Sequence, residues 1–86
     1  MNQPGISIRV LLFAQLAEQA GEKELTLSLP SNSTVTDALA TVSEKYPVIT
    51  PLMQNAAIAV NEAYADAGVQ LNDQDTIALI PPVSGG

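Results

Sequence analysis

Thr34-Val35-Thr36-Asp37-Ala38-Leu39-Ala40-Thr41-Val42-Ser43-Glu44-Lys45-Tyr46 decides the fold. Val35, Ala38, Leu39, Val42 and Tyr46 recur at helical spacing and make one apolar stripe, while Thr41, Glu44 and Lys45 stay outside it. Thr34 is placed to cap the helix, with Asp37 at its third position as a short-acid version of the capping box. Pro47 ends the helix, because proline supplies no amide hydrogen to the next turn. A helix with a single apolar stripe must bury that stripe against something, and the flanking sequence supplies a sheet.

Upstream, Ile6, Ile8, Val10 and Leu12 alternate with Ser7, Arg9, Leu11 and Phe13, the period of a first strand over Ile6–Phe13. Residues 14–20 are helix formers stopped by Gly21, which accepts the positive φ of a helix C-terminus. Leu25, Leu27 and Leu29 then alternate with Glu24, Thr26 and Ser28 up to the turn residues Pro30-Ser31-Asn32-Ser33, so a second strand pairs with the first. Downstream of a connection containing Pro51, residues 57–60 and 76–80 read as short buried strands, with a weaker extended piece near Ala63-Tyr64-Ala65. A strand pair, a long helix and further strands predict an α+β fold of the ubiquitin-like β-grasp kind. Its mixed sheet has four to five strands, with one main helix across one face. The predicted core is Ile8, Val10, Leu12, Leu25, Leu27, Ile58, Val60, Ile77 and Leu79 beneath Val35, Leu39 and Val42.

The same alternation turns Leu11, Phe13 and Ile80, with Ala59, to the opposite face. The first and last strands of a β-grasp sheet are neighbours, so these side chains are expected to form one exposed apolar patch, the mark of a protein interface. Residues 1–80 constitute the expected domain. Residues 81–86, Pro81-Pro82-Val83-Ser84-Gly85-Gly86, form an expected flexible tail, because consecutive prolines leave a ladder without donors and direct the chain away from the sheet.

Composition narrows the function. Nine acidic side chains against three basic ones, Arg9, Lys23 and Lys45, and a net charge of −6 leave nothing to neutralise a row of phosphates, which excludes nucleic acid. The acidic excess suits solubility or steering toward a basic partner. The first five residues lack a signal peptide's basic start and apolar stretch, and no run approaches the roughly 20 apolar residues of a membrane helix, so the expected location is the cytoplasm. Asn32-Ser33-Thr34 matches a glycosylation acceptor, which has no meaning without secretion. With no cysteine and no histidine the chain offers no thiolate, no imidazole base and no soft metal ligand. The acid pairs Glu22/Glu24 and Asp73/Asp75 read as solvated turn residues. Asp73-Gln74-Asp75 resembles only the start of a calcium loop and runs into a strand where that loop needs its glycine and later glutamate, so no metal site is expected. Ser84 has no base to activate it.

The chemistry therefore falls to Gly85-Gly86. Two residues without Cβ, presented on a proline spacer, offer a carboxylate that enters a narrow slot as a substrate. Adenylation with ATP gives such a carboxylate a good leaving group, and a persulfide donor then installs sulfur.

Phe13-Ala14 after the first strand, Asn61 after the third, and the segment from Pro81 to Gly86 resemble the small, sulfur-carrier subunit of molybdopterin synthase, the MoaD family, over nearly the whole chain. The resemblance implies a non-catalytic carrier in molybdenum cofactor biosynthesis. Gly86 is adenylated by a partner similar to the ubiquitin-activating enzymes and becomes a thiocarboxylate. The segment Pro81, Pro82, Val83, Ser84 and Gly85 enters the large synthase subunit within a heterotetramer. There two sulfur transfers convert cyclic pyranopterin monophosphate to the dithiolene of molybdopterin. The chain itself is expected to bind no cofactor, ATP being used by the activating partner. The pterin phosphate needs cationic or helix-terminal donors, and no Lys or Arg follows Lys45, so that pocket is expected in the large subunit. Two departures stand out: Gln74 occupies a position where the family often has glycine, and the first strand begins about five residues late. A carrier of the ThiS type for thiamine thiazole synthesis shares the Gly-Gly end but usually lacks Pro-Pro-Val before it. A ubiquitin-like modifier that uses the same activated glycine to acylate lysines is the alternative of a different class.

Overall fold

The computed structural model describes residues 5–82. Strand β1 runs Gly5–Leu12, helix α1 Gln15–Ala20, β2 Glu24–Pro30 and helix α2 Val35–Lys45. A 3-10 turn over Pro47–Ile49 leads into α3, Thr50–Met53, followed by β3 Ala57–Val60, β4 Ala63–Tyr64 and β5 Thr76–Ile80. The strands form one five-stranded sheet in the order β2-β1-β5-β3-β4. β1 is antiparallel to β2 and parallel to β5, so the first and last strands are central neighbours, as the β-grasp expectation requires.

Each long element is built as its sequence dictates. In β2, Leu25, Leu27 and Leu29 are buried and every intervening residue is exposed, the signature of a strand with one dry face. Helix α2 begins with the expected capping box: the Thr34 hydroxyl accepts from the Asp37 amide at 3.4 Å, and the Asp37 carboxylate accepts from the Thr34 amide at 2.9 Å. Two further amides of its first turn, Val35 and Thr36, donate to the carbonyls of Val69 and Ala67. Residues 65–71 therefore form a strap that closes off the helix N-terminus and satisfies donors that would otherwise be orphaned. Gly21, at φ 76°, ends α1 by donating its amide to the Ala17 carbonyl.

The core corrects the sequence reading in both directions. Ile8, Val10, Leu12, Leu25, Leu27, Val35, Val42, Ile77 and Leu79 are buried as expected. Leu39, Ile58 and Val60 are only half-buried. β3 lies next to the sheet's edge, flanked by a strand of two residues, and Ile58 and Val60 pack against the margin of the cluster. Leu29 and Ala38, members of the strand alternation and the helix stripe that were not counted in the predicted core, are buried too, and Leu16, Ile49 and Leu71 are buried members that neither pattern supplied. Leu16, Ile49 and Leu71 come from the short helix, the turn after Pro47 and the strap, where the apolar period is too brief to read.

The acid pairs also need correction. Asp75 is buried, not solvated. Its carboxylate accepts from the Asn61 side-chain amide and from the Asn72 backbone amide, each at 2.8 Å. The Thr76 amide donates to the Asn61 side-chain oxygen at 3.0 Å, so Asn61 and Asp75 together staple the β3–β4 turn to the start of β5. A buried carboxylate is tolerated where its lone pairs are engaged in this way. Asp73 is exposed and accepts from the Ser7 amide at 2.7 Å. Glu24 is paired with Arg9 at 3.0 Å. Gln74 adopts φ 71°, the left-handed region, where glycine carries no steric penalty.

Candidate functional site

The sheet face turned away from α2 carries the site. Register sets its side chains in rows. Leu11 of β1 lies beside Ala78 of β5, Ala78 beside Ala59 of β3, and Ala59 beside Tyr64 of β4. On one side of this row Arg9 is paired with Thr76, and on the other Ile80 is paired with Ala57. Phe13 sits one residue beyond the Leu12–Leu79 pair, next to Ile80. Small residues, Ala59 and Ala78, make a floor, and Leu11, Phe13, Ile80 and Tyr64 stand around it, so the face is a groove of about 680 Å³ open to solvent.

The structure thus brings together all four expected patch residues, Leu11, Phe13, Ala59 and Ile80. They are not equally exposed. Phe13 keeps 45% and Ile80 36% of its surface, Leu11 is half-buried, and Ala59, at 8%, is floor and not rim. Tyr64, 82% exposed, is the rim residue that sequence reasoning missed. Asn61 and Glu62 both have positive φ, 51° and 73°, the two central residues of a type I′ hairpin turn between the paired Val60 and Ala63. Reading Asn61-Glu62 as that turn would have placed Tyr64 opposite Ala59.

One end of the groove is polar and the other apolar. Arg9, Thr76, Asn61 and Glu62 line the first. Arg9 there is tied to Glu24, both side chains being at least half exposed, a pairing worth under about 1 kcal/mol. Phe13 and Ile80 line the second, where β5 runs out into Pro81. Pro81, the first residue of the expected tail, is buried, and Pro82 is exposed, so the packed body extends one residue past Ile80. Val83, Ser84, Gly85 and Gly86 lie outside the described residues. Among the described residues no three His, Cys, Asp or Glu side chains converge on a point. What this face offers is apolar area and shape, beside the place where the last strand leaves the sheet.

Proteins of known kind share this architecture. The chain is 37% identical over 81 residues to the molybdopterin synthase sulfur carrier subunit of Arabidopsis thaliana, covering 94% of this chain and 84% of the plant protein. The crystal structure of SAMP1 from Haloferax volcanii superposes with a TM-score of 0.86 at 31% identity, covering 93% of this chain and 99% of that one. The small archaeal modifier protein 1 of Methanosarcina acetivorans gives 0.84 at 30% identity, with 96% and 99% covered. The sequence profile of the ThiS family matches residues 10–86, from the middle of β1 through Gly86. That match spans most of the sequence, and the chain belongs to the ThiS family.

Proposed function

We infer that this protein is the sulfur-carrier subunit of a molybdopterin synthase and takes part in molybdenum cofactor biosynthesis. The observation that carries this reading is the 37% identity, over 94% of the chain, to a plant protein of that name. The protein is a carrier and not itself a catalyst. The reacting atom is the carboxyl carbon of Gly86. Its carboxylate attacks the α-phosphate of ATP in the activating enzyme and pyrophosphate leaves. Persulfide sulfur then displaces AMP, and a thiol cleaves the remaining S–S bond to free the thiocarboxylate. The residues beyond the buried Pro81, 82–85, carry that group into the large synthase subunit, whose pocket holds the pterin.

The groove is the docking surface for this partner. Phe13 and Ile80 border it at the exit of β5, so a protein seated there holds the tail's origin fixed. That converts delivery of Gly86 into a local search instead of a free encounter. The activating enzyme uses the same face, and the two partners take turns. Incubated with the activating enzyme, ATP and a persulfide donor, the protein gains the mass difference of sulfur over oxygen. A chain lacking Gly86 that still accepts sulfur overturns the assignment.

A second reading has its own support in the likeness to small archaeal modifier protein 1. Acylation of target lysines by the same activated Gly86 leaves adducts that survive reduction and denaturation, whereas a thiocarboxylate stays on the free chain.

A further inference from the structure

The turn that follows Phe13 is built against its own residue preference. Ala14 has φ 51° and ψ −126°, and the Leu16 amide donates to the Phe13 carbonyl at 3.1 Å. These are the dihedrals of the first central position of a type II′ turn, a place that ordinarily takes glycine because a Cβ there is strained. Strain of this sort costs about 1–3 kcal/mol and persists where something else requires it. Packing does not require it here, since Ala14 is exposed. Ala14 instead helps to line a second depression, of about 360 Å³, with Leu11, Phe13, Ala17, Lys23 and Glu24. Leu11 and Phe13 belong to both this depression and the groove, so the Phe13 ring is a ridge between two apolar hollows. Glu24 is engaged by Arg9, and among the described residues Lys23 has no acidic partner within ion-pair distance.

We propose that the docking surface continues over the Phe13 ridge into this second depression, with the Ala14 methyl as part of its floor. The occupant is a segment of the large synthase subunit that places an apolar side chain against Ala14 and Ala17 and a carboxylate beside Lys23. This rests on the reading that the partner docks through Phe13. On a chain of net charge −6, Lys23 is the charge left unengaged at the rim of this hollow, since Glu24 beside it is held by Arg9, and it favours a partner carboxylate by charge complementarity. Glycine at position 14 would make the turn easier to form. An alanine there adds a methyl group that a partner can contact.

The test is Ala14→Gly, measured by thermal melting and by titration against the large synthase subunit and, separately, the activating enzyme, with Phe13→Ala and Lys23→Gln in parallel. Relief of strain raises the melting temperature by about 4 °C. Loss of one buried methyl weakens binding by about fourfold, from about 0.8 kcal/mol per methylene. Lys23→Gln weakens binding by about threefold at low salt, with the difference shrinking at high salt. Higher stability with lower affinity is a combination that a structural role for Ala14 does not produce. Unchanged affinity in Ala14→Gly alongside a large loss in Phe13→Ala overturns the second depression and leaves the groove standing. Unchanged affinity in Phe13→Ala overturns the docking reading and this proposal together. A loss confined to the activating enzyme assigns the depression to that protein and overturns the occupant named here.

Discussion

The two faces of the sheet are made from alternate residues of the same strands and do opposite things. Toward α2 lie Ile8, Val10, Leu12, Ile77 and Leu79, each at most 3% exposed. Away from it lie Arg9, Leu11, Thr76, Ala78 and Ile80, all partly or fully open to water. A one-residue slip in register would exchange the two sets, so the registry of β1 with β5 fixes both the core and the groove. The covered face is large, branched and closely packed, whereas the open face pairs an alanine floor with a few bulky rim residues. The first arrangement stabilises a fold, and the second leaves space for a foreign side chain.

This contrast predicts that substitutions on the two faces separate stability from binding. The largest effect belongs to the covered face: Leu79→Ala or Leu27→Ala costs about 3 kcal/mol of folding stability, read by denaturant titration, through lost transfer energy and the cavity left behind. Next are Phe13→Ala and Ile80→Ala on the open face. Each costs about 2 kcal/mol of binding to the large subunit by calorimetry, with folding stability changed by less than about 0.5 kcal/mol. If either truncation destabilised the fold as much as Leu79→Ala, the distinction between the faces would fail.

Asn61 links the two regions, since it holds the hairpin that carries Tyr64 to the buried Asp75. Asn61→Ala leaves the Asp75 carboxylate short of a donor and costs about 1–2 kcal/mol of stability, and hydrogen exchange in β4 accelerates more than in β1. The smallest change is a gain. Gln74→Gly, at φ 71°, stabilises the chain by about 0.5–1 kcal/mol in a thermal melt, because glycine carries no left-handed penalty there. A loss would mean that the Gln74 side chain does more than occupy the turn.

The alternation of β1 and β2 and the stripe of α2 were enough to read the β1–β2 pair, the helix and the division of Leu11, Phe13 and Ile80 from the core, while the pairing of β1 with β5 followed from the β-grasp expectation. Those signals come from long elements, where period and burial reinforce each other. Ile49, Leu16 and Leu71 escaped because they reach the core from a 3-10 turn, a six-residue helix and a strap, segments of fewer than two helical turns in which three-dimensional closure and not period places a side chain. Asp75 escaped for another reason: its burial depends on Asn61, fourteen residues away in sequence, a partnership that no local pattern announces. Tyr64 was in view as part of a weak extended piece, but its place on the groove follows only once Asn61-Glu62 is seen as a two-residue turn. The assignment of chemistry to Gly86 rests on the Gly-Gly sequence and on the family, since the groove contributes shape and not reactivity.

The carrier account is tested most directly by the intact mass of the protein isolated from its own cells when the large synthase subunit is missing, so that cargo accumulates. The account predicts a species heavier than the encoded chain by the difference between sulfur and oxygen, with fragmentation placing that difference at Gly86. A chain recovered only at its encoded mass, or only joined through Gly86 to lysines of other proteins, would contradict it.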